Sequence, residues 1–159
     1  MNPTQQGIDA YVAKYRSKAN MLKKIHSYKA ESNRRWDLTH TLATLILGAI
    51  ITFLGGMAPD KLAGVIRQVW FSLAALLLFI TSLLNLIYRW KEEYVQSFQA
   101  VVRLSTYINW LDELVFFGLG PDNIDSLLAI RDRYQCIVED LPPNADKDYR
   151  RVKQAKLLS

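Results

Sequence analysis

Two windows of this chain contain no charged residue, and they limit what it can fold into more than any other feature. Leu38–Ala58 and Gln68–Tyr88 are each 21 residues long without an Asp, Glu, Lys or Arg, in a chain that is 22% charged. An α-helix needs roughly 20 apolar residues to cross a hydrocarbon core about 30 Å thick. The first window holds nine Leu, Ile or Phe residues and the second twelve Leu, Ile, Val or Phe. At about 0.3–0.6 kcal/mol each they favour insertion by roughly 3–5 and 4–7 kcal/mol, partly offset in the first by His40 and the threonines. Gly55-Gly56 and Pro59 end the first window, and the connection 59–67 is so short that the return is antiparallel. The expected fold is all-α: a membrane protein built on a two-span transmembrane helical hairpin, 38–88, with spans 38–58 and 68–88. A cytosolic amphipathic helix over 1–37 precedes it, and a cytosolic helical region over 89–159 follows. A soluble bundle would have to cover both windows on all sides, and 159 residues leave too little other surface for that.

The flanking segments read as amphipathic helices. Ile8, Tyr11, Tyr15, Ala19, Leu22 and Ile25 recur at three- and four-residue steps, with Lys14, Lys18, Lys24 and Arg34 opposite them. Neither Pro nor Gly separates this helix from the first window, so one continuous rod is expected. After Arg89 the helical period is expected to go on unbroken, with Trp90, Tyr94, Phe98, Val101, Ser105, Ile108 and Leu111 on one side. It should end near Gly118-Leu119-Gly120-Pro121. A further helix, capped by Asp122 or Asn123, should run to about Asp140. Leu141-Pro142-Pro143-Asn144 is a breaker, and a short charged helix, Ala145 to Leu157, is expected after it.

Charge sets the expected orientation. Lys23, Lys24, Lys29, Arg34 and Arg35 precede the first window, and Arg89, Lys91 and Arg103 follow the second, against Lys61 and Arg67 in the loop. Eight against two places both termini in the cytoplasm by the positive-inside rule, with Lys29, Arg34, Arg35, Arg89 and Lys91 as the topology-determining flank. The net charge of +5 is assigned to these flanks and to anionic lipid, because no basic stripe with interleaved aromatics points to nucleic acid. Trp36, Trp70, Tyr88 and Trp90 suit the membrane interface. The single cysteine, Cys136, allows no internal disulfide. The 37 residues before the first window argue against a cleaved secretory leader.

Within the spans two rows carry the chemistry. Thr44, Gly48, Thr52 and Gly56 form a small-residue row that lets backbones approach closely. It serves either as an oligomer seam or as the face packed on the second span of the same chain. Ser72, Thr81, Ser82 and Asn85 make a mild polar stripe in the second span, which either lines a pore once several hairpins assemble or supplies interhelical hydrogen bonds. His40 sits at the interface and His26 on the cytosolic helix, neither with metal-ligand neighbours. The adjacent carboxylates Glu92-Glu93 and Asp112-Glu113 point in different directions on a helix and make no acid–base pair. No nucleophile elbow, zinc-protease, phosphate-loop or dinucleotide motif occurs. No catalytic, cofactor or metal site is expected, and the chain is not read as an enzyme.

The order of parts is familiar. An arm (YVAKYRSKANMLKKIHSYKAESNRRWD) leads into the first span, a long helix begins at YRWKEEYVQSFQAVVRLSTYINWLDEL, and the tail reads LAIRDRYQCIVEDLPPNADKDYRRVKQAK. Over roughly residues 10–156 this resembles a single SLATT domain, the prokaryotic two-span effector family that associates with SMODS nucleotidyltransferases, SLOG proteins or reverse transcriptases. The resemblance implies an inner-membrane effector of an antiphage or conflict system. Such an effector oligomerises and opens or disrupts the membrane when a partner sensor, or its nucleotide signal, activates it. It carries over no catalytic residue. No SLOG or TIR domain is fused, so the sensor is expected to be a separate polypeptide. The competing expectation is a non-toxic anchor or adaptor whose spans tether a helical interaction module.

Overall fold

The computed structural model describes residues 3–53, 64–117, 124–144, 148–150 and 152. All four elements assigned among them are helices: α1 (Pro3–Thr52), α2 (Gly64–Tyr88), α3 (Trp90–Phe117) and α4 (Ile124–Glu139). The expected continuous rod is present, since α1 is one helix of 50 residues. Helix α2 starts four residues earlier than expected, so Gly64–Arg67 form its first turn instead of belonging to the loop. A further turn of helix satisfies backbone groups that an extended loop would leave to solvent. Gly55, Gly56, Pro59 and the proposed caps Asp122 and Asn123 lie outside the described residues.

The chain divides into two compact units, Met1–Glu31 with Tyr94–Ser159, and Ser32–Glu93. The first has a conventional core. Ile8, Val12, Ala19, Leu22 and Ile25 of α1 pack with Leu104, Tyr107, Ile108 and Leu111 of α3, Ile130 of α4, and Val152. The face expected of α1 is the face that is buried. The face of α3 is rotated from expectation: Ser97, Ala100, Leu104, Tyr107, Ile108 and Leu111 are buried, while Phe98 is half exposed. Phe98 instead lies beside Tyr94 with ring centroids 6.0 Å apart. Tyr107 is fully buried, and its hydroxyl donates to the Ile130 carbonyl at 2.9 Å, tying α3 to α4. Burial pushes this phenol far above its ordinary pKa, which keeps it a hydrogen-bond donor at neutral pH. At the surface Arg16 meets Asp112, and Arg103 meets Asp140, each at 2.9 Å. Both pairs are about half exposed and contribute at most about 1 kcal/mol each.

The unit Ser32–Glu93 is the reverse. Among its described residues Ala74 is the one buried apolar residue, whereas Leu45, Phe79, Leu86 and Ile87 are 61–72% exposed.

The expected unbroken run through Arg89 is not found. Arg89 has φ 43°, and it alone separates α2 from α3. A left-handed residue with a side chain costs about 1–2 kcal/mol. The compensation is aromatic. On a regular helix residues 88 and 90 point about 200° apart and never meet. With Arg89 left-handed, Tyr88 and Trp90 stack at 5.2 Å, with planes 3° apart, and Trp36 stacks on Trp90 at 6.1 Å. Arg89→Gly keeps the break and removes its strain, so it should raise stability by about 0.5–1 kcal/mol. Arg89→Pro cannot reach this φ and should destabilise markedly. Thermal melting of the detergent-solubilised variants checks both. Destabilisation by glycine would contradict the left-handed assignment.

Candidate functional site

The apolar helix is the first part of the site. The stretch Gln68–Phe116, which takes in α2 from Gln68 onward, contains a segment long and apolar enough to cross a membrane, of which only 6% is buried within the protein. The described part of the first window ends at Phe53.

Its polar side chains are mostly spent on their own helices. Thr44 Oγ1 donates to the His40 carbonyl and Thr52 Oγ1 to the Gly48 carbonyl, both at 2.9 Å. Thr81 Oγ1 and Ser82 Oγ both donate to the Leu78 carbonyl, at 2.9 and 2.8 Å. Each hydroxyl thereby satisfies its donor without a neighbouring helix. Gly48 opens on empty space, with nothing within 4 Å of where a Cβ would stand, so no described residue of the chain fills the small-residue row there. Ser72 and Asn85 are exposed, and the Asn85 amide has no partner among the described residues. Gly56, the fourth member of the row, lies outside the described residues.

At the helix break the aromatics meet a histidine. The His40 ring lies 5.1 Å from Trp90, and its Nε2 is buried without a hydrogen-bond partner. Asn33 Nδ2 donates to Glu93 Oε2 at 3.2 Å, and Arg89 pairs with Glu92 at 3.4 Å. Arg34, Arg35 and Lys91 are exposed.

The fifth basic-flank residue, Lys29, does something the sequence did not disclose. Its ammonium donates to the Pro143 carbonyl at 2.9 Å and to Asn144 Oδ1 at 3.4 Å, and lies 3.7 Å from Asp148. One turn earlier on α1, His26 is fully buried, and its Nε2 sits 3.2 Å from Asn144 Nδ2. The Pro-Pro-Asn breaker is thus clamped onto α1. Asn144, the last residue of that breaker, spends its side chain on the clamp. Burial lowers the His26 pKa, the Lys29 charge lowers it further, and Asp148 opposes both. The only advance signal was composition: a Lys and a His one turn apart on the apolar side of an amphipathic arm.

Among the described residues no three His, Cys, Asp or Glu side chains converge as metal ligands. Cys136 is a free, exposed thiol. Fold and site together define an all-helical protein in which, among the described residues, one helix is long and apolar enough to span a membrane. Compared with known proteins, the chain matches no family model, no curated protein and no solved structure.

Because the Thr81 and Ser82 hydroxyls are satisfied within α2, Thr81→Ala and Ser82→Ala should change stability by less than about 0.5 kcal/mol each. Thermal melting in detergent checks this. A loss above 1 kcal/mol would mean that these groups bond to something else.

Proposed function

We propose that the chain is an inner-membrane protein with two spans and both termini in the cytoplasm, acting as a SLATT-type effector that assembles with copies of itself. The observation that carries the membrane reading is the exposure of α2. Its large aliphatic side chains stand uncovered, and leaving each in water forfeits about 1.5–3 kcal/mol. The stack of Trp36 on Trp90 supports the hairpin, since it joins the start of the first apolar window to the end of the second. These rings, with Tyr88, suit an interfacial belt, and the basic flank suits a cytoplasmic face.

Assembly is supported by the open row at Gly48 and by the amide of Asn85. In a bilayer an unpaired amide is costly, and a second copy presents the same amide at the same depth. A sensor protein or its nucleotide signal would activate the assembly by binding the open arrangement better than the resting one. The effector role itself rests on the resemblance of arm, spans and tail. The anchor reading has one observation in its favour. Thr81 and Ser82 turn their hydroxyls back onto α2, which leaves Ser72 and Asn85 as the polar groups of that stripe free to line a pore.

Orientation is testable with the native thiol. A membrane-impermeant maleimide should label Cys136 in inside-out vesicles and not in right-side-out ones. A Lys61→Cys variant on a Cys136→Ser background should show the opposite pattern. Labelling of Cys136 from the outside would overturn the topology. Function separates by substitution. In cells expressing the chain with its activating partner, Gly48→Leu and Asn85→Leu should each abolish depolarisation while insertion persists. If depolarisation is unchanged, the assembly reading fails. If the wild type never depolarises the membrane, the anchor reading replaces the effector reading.

A further inference from the structure

The clamp on α1 is wired for one protonation state. The Lys29 ammonium only donates, so the Asn144 oxygen turns toward it and the Asn144 amide nitrogen faces His26. That nitrogen is also a donor, so His26 Nε2 must present its lone pair. The proton of neutral His26 then sits on Nδ1, which is buried and has no partner. Protonating His26 would set an N–H against an N–H₂. It would also place a second cation near Lys29, on a ring that is itself fully buried. Turning the amide over relieves His26 only by aiming the same N–H₂ at the ammonium. Among the described residues, Lys29 from α1 and Asp148 from the tail are the charges acting on His26, and α3 and α4 contribute none. Asp148 is already within 3.7 Å of Lys29.

We propose that His26 is the proton-sensitive element of a latch. Neutral, it holds Asn144 and Asp148 of the tail against α1; protonated, it lets them go. The tail is more than a surface strand, because Leu141 packs against the core and Val152 is part of it. Release therefore opens the unit formed by Met1–Glu31 and Tyr94–Ser159. The direction follows from linkage. The free imidazole takes up its proton near pH 6.5 and the latched one only at lower pH, so the released state binds more protons in between. The latch is at full strength above that free value and is lost as pH falls from it toward the latched one.

The chain has two histidines, which makes the test direct. Full-length protein in nanodiscs, carrying ¹³C-labelled histidine, is titrated by NMR, with a His40→Gln variant assigning the two signals. His26 should titrate below the ordinary histidine value. In Asn144→Asp both oxygens accept, and its titration should move above that value. Hydrogen exchange of residues 144–152, corrected for intrinsic rate, should quicken in wild type as pH falls from 8 to 5.5. The gain should be about tenfold for each unit by which the latched value lies below the free one. Asn144→Asp should lose this acid-induced opening, and His26→Gln should show no pH dependence. His26 titrating at or above the ordinary value in wild type would overturn the proposal. So would tail exchange that stays flat through the titration.

Discussion

A helix satisfies its own backbone, so the question for α2 is only where its side chains go. Within the protein they go nowhere, since 6% of its apolar segment is covered. A folded domain has about 5–15 kcal/mol of net stability. A dozen large apolar side chains left in water at about 1.5–3 kcal/mol each would exceed that margin. The other unit shows what the same chain does when it has an interior, burying Leu104, Leu111, Ile25 and Ile130 to 1% exposure or less. The contrast runs along a single helix. The N-terminal part of α1 buries one face, from Ile8 and Val12 through Ala19, Leu22 and Ile25 to Ala30, and Leu38, Leu42, Leu45, Ile46, Ile50 and Phe53 turn outward.

Much of this was legible in the sequence because it depends on local pattern. The apolar steps from Ile8 to Ile25, the end of α3 before Gly118, and the Leu141-Pro142-Pro143 break all follow from periodicity and from backbone chemistry within a few residues. The two charge-free windows are legible for the same reason. The break at Arg89 was not. Left-handed backbone is normally announced by Gly or Asn, and arginine carries no such signal. What holds the break is a ring on Trp36, far from it in sequence.

The clamp was illegible for a related reason. His26 and Asn144 are 118 positions apart, and each has a more ordinary local reading, as a histidine on an amphipathic helix and as part of a helix breaker. Lys29 was read for its charge alone. Its geometry gives it a second task, because an ammonium that can only donate fixes which way the Asn144 amide turns. A charge count treats all lysines alike. The structure separates Lys29, held by three tail groups, from Arg34 and Lys91 on the exposed surface. The rotation of α3 that exposes Phe98 belongs here too, since Phe98 and Ser97 differ by one step and only the packing partners decide between them.

The polar residues of the apolar segments sort by how many donors they carry. Serine and threonine have one, and the preceding turn offers a carbonyl that takes it, as Leu78 does for both Thr81 and Ser82. These residues can therefore face lipid at modest cost. An asparagine amide has two donors and an acceptor oxygen, and the preceding turn cannot serve all of them. Asn85 is left with polar capacity that neither its own helix nor any described neighbour uses. In water that capacity would be met at once. Under the proposed membrane reading a partner from a second copy would meet it, since a copy with the same topology brings Asn85 to the same depth. The proposed assembly thus rests less on the small-residue row, which merely permits close approach, than on this one amide.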